Sequence, residues 1–375
     1  MTPLQAATQA DPYDYYAGLR RHDGLLFDAD LGLWIASRAT TLEAVLAHPD
    51  CRVRPLHEPV PAAIAQRAAG QVFAQLMRMN EGTAHRCPRA AIEPALAGLD
   101  PQRIARAVKH LDEKATHLDD WMFRLPVSVI AHLLGVPGEH LSKVAELTRD
   151  FVACLSPLSD EAQLCNADLG ASQLRQMFSA VFEETALLAA IRSGEWVGAD
   201  VLNANLIGLL SQTCEATAGL IGNTLVTLAR QPHLLEQVQR TPALATALVE
   251  EVARFDAPVQ NTRRFVTQRC TIGGQALEVG DTILVLLASA NRDSAANPDP
   301  DRFLLERPQR RTFSFGVGRH QCPGQQLALT LASQVILALL QRQPVLPVPF
   351  SYWPSLNGRI PRFHHATPDP HVVNG

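Results

Sequence analysis

Residues 199–229 form a long apolar stretch whose side chains keep helical spacing. Such a stretch folds only as a core helix with other helices packed around it. The same period dominates from residue 39 to about 255. It predicts helices over 39–48, 84–97, 101–117, 126–134, 139–155, 168–192, 199–229 and 241–255, many of them flanked by Pro or Gly. Thr241 and Pro242 open the last of these as an N-cap and a first-turn proline. A further helix is expected over about 325–341. Strand signals are short: 25–27, 33–37, and an alternating stretch over 265–289 with turns at Gly273-Gly274 and Gly280-Asp281. The tail, with several prolines, reads as irregular strands and loops. The expected architecture is one mainly α domain over 1–375 with small antiparallel β-sheets. Its helix-rich core spans about 84–255 and its β-containing segments lie at about 25–37 and 263–290.

Composition narrows the function classes. The 375 residues are 47% hydrophobic and 19% charged, enough apolar material for a large core. A formal charge of −4 argues against a nucleic-acid or anionic-membrane binder. Seven cysteines without regular spacing do not form a disulfide framework, and a reducing cytoplasm is expected. No signal peptide is visible, and the apolar run 327–340 is too short and too interrupted to span a bilayer.

Residues 313–324 read Phe-Ser-Phe-Gly-Val-Gly-Arg-His-Gln-Cys-Pro-Gly, followed at once by an apolar helix. Gly316 and Gly318 let the backbone turn and approach a flat ligand. Cys322 lies just before the helix N-terminus, where orphan N–H groups favour a thiolate and tune a bound metal. Phe315, Gly316, Gly318, His320, Cys322 and Gly324 are six specified positions, and a chance match is on the order of 10⁻⁸ per position tried. The other cysteines, 51, 87, 154, 165, 214 and 270, read as buried free thiols. A zinc reading of Cys322 lacks partner ligands.

This segment resembles the haem-binding loop of the cytochrome P450 family, in particular its soluble bacterial members. The resemblance implies haem b (iron protoporphyrin IX) with Cys322 as axial ligand and Phe315 beside the sulfur. DPYDYYAGLR, LPVSVIAHLLGVP, the central helix and FDAPVQ occur in the family's order, so the likeness covers nearly the whole chain. It extends to a Glu-x-x-Arg pair, Glu251 and Arg254, with Arg302 as the third member of a buried network. His85 and Arg89, four apart on a helix, together with Arg264 and His320 are implied to hold the haem propionates, with Arg263 as the rival to Arg264. Val259 and Gln260 are expected to line the substrate pocket.

The central helix departs from the family pattern. Gln212 and Thr213 stand where a small pair is usual, Glu215 at the acid, and Ala216 at the usual threonine, whose hydroxyl takes part in proton delivery. Ala216 has no donor, and Thr217 lies roughly 100° round the helix. Glu215, Gln212, Thr213 or Gln260 are therefore the candidate relay or substrate-orienting groups. The implied function is a monooxygenase that uses dioxygen to oxidise a small organic molecule, by hydroxylation or coupling. No flavin or iron–sulfur domain fits in the chain, so a separate ferredoxin and ferredoxin reductase are the expected electron donors. Arg310, Arg311 and Arg319 are candidates for their docking surface. A peroxide-dependent or non-hydroxylating oxidase, suggested by Ala216, and a non-catalytic haem sensor or carrier stand as alternatives.

Overall fold

A computed structural model describes residues 1–180, 183–342 and 349–364. The central helix, Ala199–Arg230, is buried along most of its length from Ala204 onward, as a mainly apolar stretch requires. Around it pack helices Leu125–Leu133, Leu141–Val152, Leu244–Phe255 and Gln325–Arg342, whose inward faces form the largest apolar core. Gly219 sits where the central helix meets the 258–260 and 359 segments. A Cβ there would lie 2.9 Å from both the Arg359 carbonyl oxygen and Pro258 Cβ. Gly219→Ala is therefore expected to cost about 1–3 kcal/mol of stability by overpacking. Denaturant midpoints check this, with Gly18→Ala, which meets open space, as the unaffected control.

Nine short strands are described: β1 Leu25–Asp28, β2 Leu33–Ala36, β3 Cys51–Arg52, β4 Thr262–Val266, β5 Cys270–Ile272, β6 Gln275–Leu277, β7 Thr282–Val285, β8 Phe350–Tyr352 and β9 Pro361–Phe363. Five make one sheet in the order β1-β2-β7-β4-β3, and β5-β6 and β8-β9 are separate hairpins. The expectation of purely antiparallel pairing fails at one place: β2 and β7 run parallel, with Trp34 opposite Ile283. The long connection between them through the helical core permits that direction.

Several helix boundaries move for identifiable reasons. The expected helix 168–192 is two helices, Glu161–Ser179 and Ala186–Arg192. Asp160 starts the first with a capping box to Gln163, and Thr185 starts the second by accepting from the Leu188 N–H. The expected helix 101–117 ends at Leu111, where buried Asp112 turns aside to pair with Arg342. The helix expected from Thr241 begins at Leu244, and Pro232–Arg240 is a separate helix before it. Ala68–Gln75 is a helix that periodicity did not mark. Part of the proline-containing tail lies outside the described residues. No helix among the described residues is long and apolar enough to cross a membrane.

Candidate haem-binding and active site

The loop before helix Gln325–Arg342 is held by its own backbone. Gly316 and Gly318 take φ values of +67° and +72°, where a side chain would be strained. The Gly316 N–H donates to the Phe313 carbonyl and the Cys322 N–H to the Phe315 carbonyl, both at 2.8 Å. These bonds fold Phe315 and Cys322 toward each other. Ser314 and Asn291 anchor the loop to helix Leu244–Phe255: the Ser314 hydroxyl donates to the Ala253 carbonyl, and Asn291 Nδ2 donates to Ser314 Oγ at 2.9 Å.

Cys322, Phe315 and Gly324 line a partly open cavity of about 880 Å³, a size that suits a cofactor and a small molecule. Burial pushes the Cys322 thiol above its ordinary value, against the Gly324 N–H and the Arg89 charge, which favour the thiolate. The helix terminus alone does not outweigh desolvation, so a bound cation is what would hold the sulfur as an anion.

The opposite wall is the central helix, contributing Gln212, Thr213, Glu215, Ala216 and Thr217, and Val259 lines it from the neighbouring segment. Gln212 Nε2 donates to the Gly208 carbonyl at 3.0 Å and the Thr213 hydroxyl to the Leu209 carbonyl at 2.8 Å. Thr213 thus has no proton left to give. The Thr217 hydroxyl has no hydrogen-bond partner among the described residues. Glu215 lines the cavity and is exposed to it. Burial pushes its carboxyl up, against the pull of Arg78 and Arg149.

Gln260 corrects the sequence expectation. It is fully buried outside this wall, donating to the Ala257 carbonyl at 2.7 Å and accepting from Tyr16 at 2.9 Å. Its two polar ends are used in packing helix Tyr13–Leu19 onto the 257–260 segment, so it neither lines the pocket nor joins a relay.

The expected propionate donors form one cluster at the loop's other flank. The His85 and His320 rings stand 4.3 Å apart, and His320 Nε2 lies 3.1 Å from Glu81 Oε2. Burial and the His320 charge lower the His85 pKa to about 4. Arg89 holds Glu93 through two nitrogens and donates to the Gln321 carbonyl. Arg264 is 6% exposed, its Nε has no partner, and burial lowers its pKa to about 10. Arg263 is only half-buried. Arg264 is a buried guanidinium with an orphaned donor and no ion pair, influenced through space by Glu81, the partner of His320, and the carboxylates of a haem would satisfy that donor. The residues present fit that group.

The bracing network is real but its membership differs. Glu251 and Arg254 are both fully buried, with 2.7 Å between Arg254 Nη2 and Glu251 Oε1. Arg302 does not join through its side chain, which is 71% exposed beside Asp299; only its carbonyl takes part, accepting from Arg254 and Arg307. The places are taken by Arg307, 3.0 Å from Glu251 Oε1, and Arg310, 2.9 Å from Oε2. Proline-rich turns after Asn297 reverse the chain, so spacing alone pointed to the wrong arginine. Against burial, which pushes it up, these partners hold the Glu251 carboxyl below its ordinary value.

The docking expectation changes with it. Arg310 is engaged by Glu250 and Glu251, and Arg319 by Glu81 and the carbonyls of His48, Pro49 and Cys51. Arg311 pairs with Glu43 and keeps about half its side chain exposed. The seven cysteines are free, but Cys165 is exposed and Cys87 and Cys270 are only partly buried.

Sequence reasoning expected the regions around 56–80 and 155–198 to cover the pocket without naming residues in them; Arg78 and residues 155–159 line it, together with Phe123, Arg149, Val152, Ala153 and residues 353–358, which it did not place there. These come from segments without a local signature. It also missed the role of Asp256 in FDAP, which accepts from Tyr13 and Arg359, each at 2.7 Å.

A family model described as "Cytochrome P450" matches residues 137–358. The chain is similar to the 20-oxo-5-O-mycaminosyltylactone 23-monooxygenase of Streptomyces fradiae, 27% identical over 92% of this chain and 85% of that protein. It is also similar to the cytochrome P450 monooxygenase PikC of Streptomyces venezuelae, 28% identical over 91% and 86%. Among solved structures it resembles P450BioI in complex with an acyl carrier protein ligated to hexadec-9Z-enoic acid, with a TM-score of 0.82 and 25% identity over 93% of this chain and 96% of that one. Epothilone B-bound cytochrome P450epoK superposes with a TM-score of 0.83 at 22% identity, over 97% and 98%.

Proposed function

The chain belongs to the cytochrome P450 family and is a haem-thiolate monooxygenase, and on that premise we propose that it carries haem b on Cys322 and oxidises a small organic molecule bound between the iron and the central helix. The observation that carries this reading is that Cys322 lines the same cavity as Glu215, Ala216 and Thr217 of the central helix. Gly316 and Gly318 set the turn of the loop that would hold the haem, and Phe315 and the Gly324 N–H would shield and tune the sulfur. His85, Arg89, Arg264 and His320 would receive the propionates. Glu251, Arg254, Arg307 and Arg310 hold the loop side rigid. Bound through the thiolate, haem supplies the activation of dioxygen.

The chain's own residues bind the substrate, exclude water and move protons. Ala216 cannot donate. Thr217 is the hydroxyl free to do so, and Glu215, the acid on the same cavity wall, resupplies the proton through an intervening water. Gln212, Thr213 and Val259 shape the wall against which the substrate lies. A ferredoxin with its reductase supplies electrons, and the protein works in the cytoplasm as a single domain, without nucleic acid or membrane.

A spin-state screen of the purified haem protein identifies ligands, and reconstitution with ferredoxin and reductase under isotope-labelled dioxygen tests the reaction. Label in the product is expected. Turnover supported by hydrogen peroxide better than by electron donors would replace this reading with a peroxide-dependent one. Glu215→Gln is expected to lower product formed per electron consumed by about tenfold or more, with the carbon monoxide spectrum unchanged. Equal coupling in variant and parent removes Glu215 from proton delivery.

A further inference from the structure

The cavity contains a charge that proton delivery does not use. Arg78 stands in the turn Met77–Met79 and faces the cavity. Its Nε is enclosed without a hydrogen-bond partner, and among the described residues its guanidinium makes no ion pair. Of the buried arginines, Arg254 and Arg307 are engaged on Glu251, Arg292 on Asp301 and Arg359 on Asp256, while Arg264 lies at the expected propionate site and does not line this cavity. Glu215 acts on Arg78 through space but does not pair with it.

Charge on the cavity wall is lopsided. Arg149 and Arg362 line the same space, their guanidiniums 4.7 Å from the Phe123 ring centre and 4.6 Å from that of Trp353. Glu215 is the one carboxylate on the described wall. A buried guanidinium without an anion is costly, and the cost is removed by a ligand that brings one.

We infer that the substrate carries an anionic group, a carboxylate or a phosphate monoester, which Arg78 receives while its apolar part lies along Val152, Leu209 and Val259. This rests on the reading of the cavity as the substrate site and adds the substrate's chemical class. A planar guanidinium presents paired N–H donors that match both anions. An anion beside Glu215 also favours its protonated form, so substrate binding would load the proton that delivery needs.

The test uses the haem-loaded full chain and three probes with the same alkyl tail: dodecanoic acid, dodecyl phosphate and dodecanamide. Affinities are read by calorimetry, which does not depend on iron, and by the spin-state shift. At least one anion is expected to bind about ten- to a hundred-fold tighter than the amide. Which anion does so separates carboxylate from phosphate recognition. Arg78→Gln is expected to erase that preference and leave amide binding unchanged, while Arg78→Lys keeps part of it. An unchanged unfolding midpoint shows that either variant is folded. Equal binding of amide and anions, no binding of either anion, or a preference that survives Arg78→Gln overturns the inference. Failure of the haem reading shows separately, as loss of the thiolate signature under carbon monoxide with anion binding intact in the calorimeter.

Discussion

Cys322→Ser abolishes the red-shifted carbon monoxide band of the reduced protein, and with it all electron-driven turnover. Serine keeps the loop's size and the backbone bond from residue 322 to the Phe315 carbonyl, so the fold is expected to survive. What is lost is the anionic sulfur. In the chain alone burial pushes the Cys322 thiol up, and only coordination to a cation repays the cost of the thiolate in that setting. A hydroxyl, with a far higher pKa, cannot take its place at neutral pH. The absorption spectrum of the reduced protein under carbon monoxide checks this. A band that persists in the variant would mean that another residue ligates the iron, and the assignment of Cys322 would fail.

Glu251→Ala is expected to destabilise the protein by about 3–5 kcal/mol and to reduce the fraction that retains haem. Removing one carboxylate leaves Arg254 and Arg307, both buried, and the partly buried Arg310 without their shared anion. Breaking a buried ion network from one side costs far more than the network contributes when intact. The damage should reach the cysteine loop, because the same helix receives the Ser314 hydroxyl at Ala253. Denaturant midpoints and haem content measure it. Arg307→Ala should follow the same direction, whereas Arg302→Ala should be close to neutral, since that side chain is solvent-exposed. Equal losses at 302 and 307 would put the network's third member back at Arg302.

Each of these expectations began in sequence at a different level of resolution. The cysteine loop is contiguous, and its two glycines, its cysteine and the following helix act on one another within twelve positions. The Glu251–Arg254 pair is equally local, one turn of one helix. Partners recruited from far along the chain were harder to identify. Arg307 reaches Glu251 only because the 297–310 segment doubles back, with Asp299 and Gln309 at positive φ, and no spacing rule encodes that path. Gln260 sits next to a pocket residue, Val259, yet faces the other way because β-like backbone alternates sides.

By itself the sequence determined the helical core, the apolar central helix and the loop that presents Cys322, since periodicity and local hydrogen bonding act between neighbours in the chain. Only the tertiary structure decided which arginines share Glu251, which wall residues keep a free donor and that Arg78 is left without a partner in the cavity. Those outcomes depend on burial and on charges brought together from distant segments, and electrostatic cost is set by the surroundings a residue meets after folding.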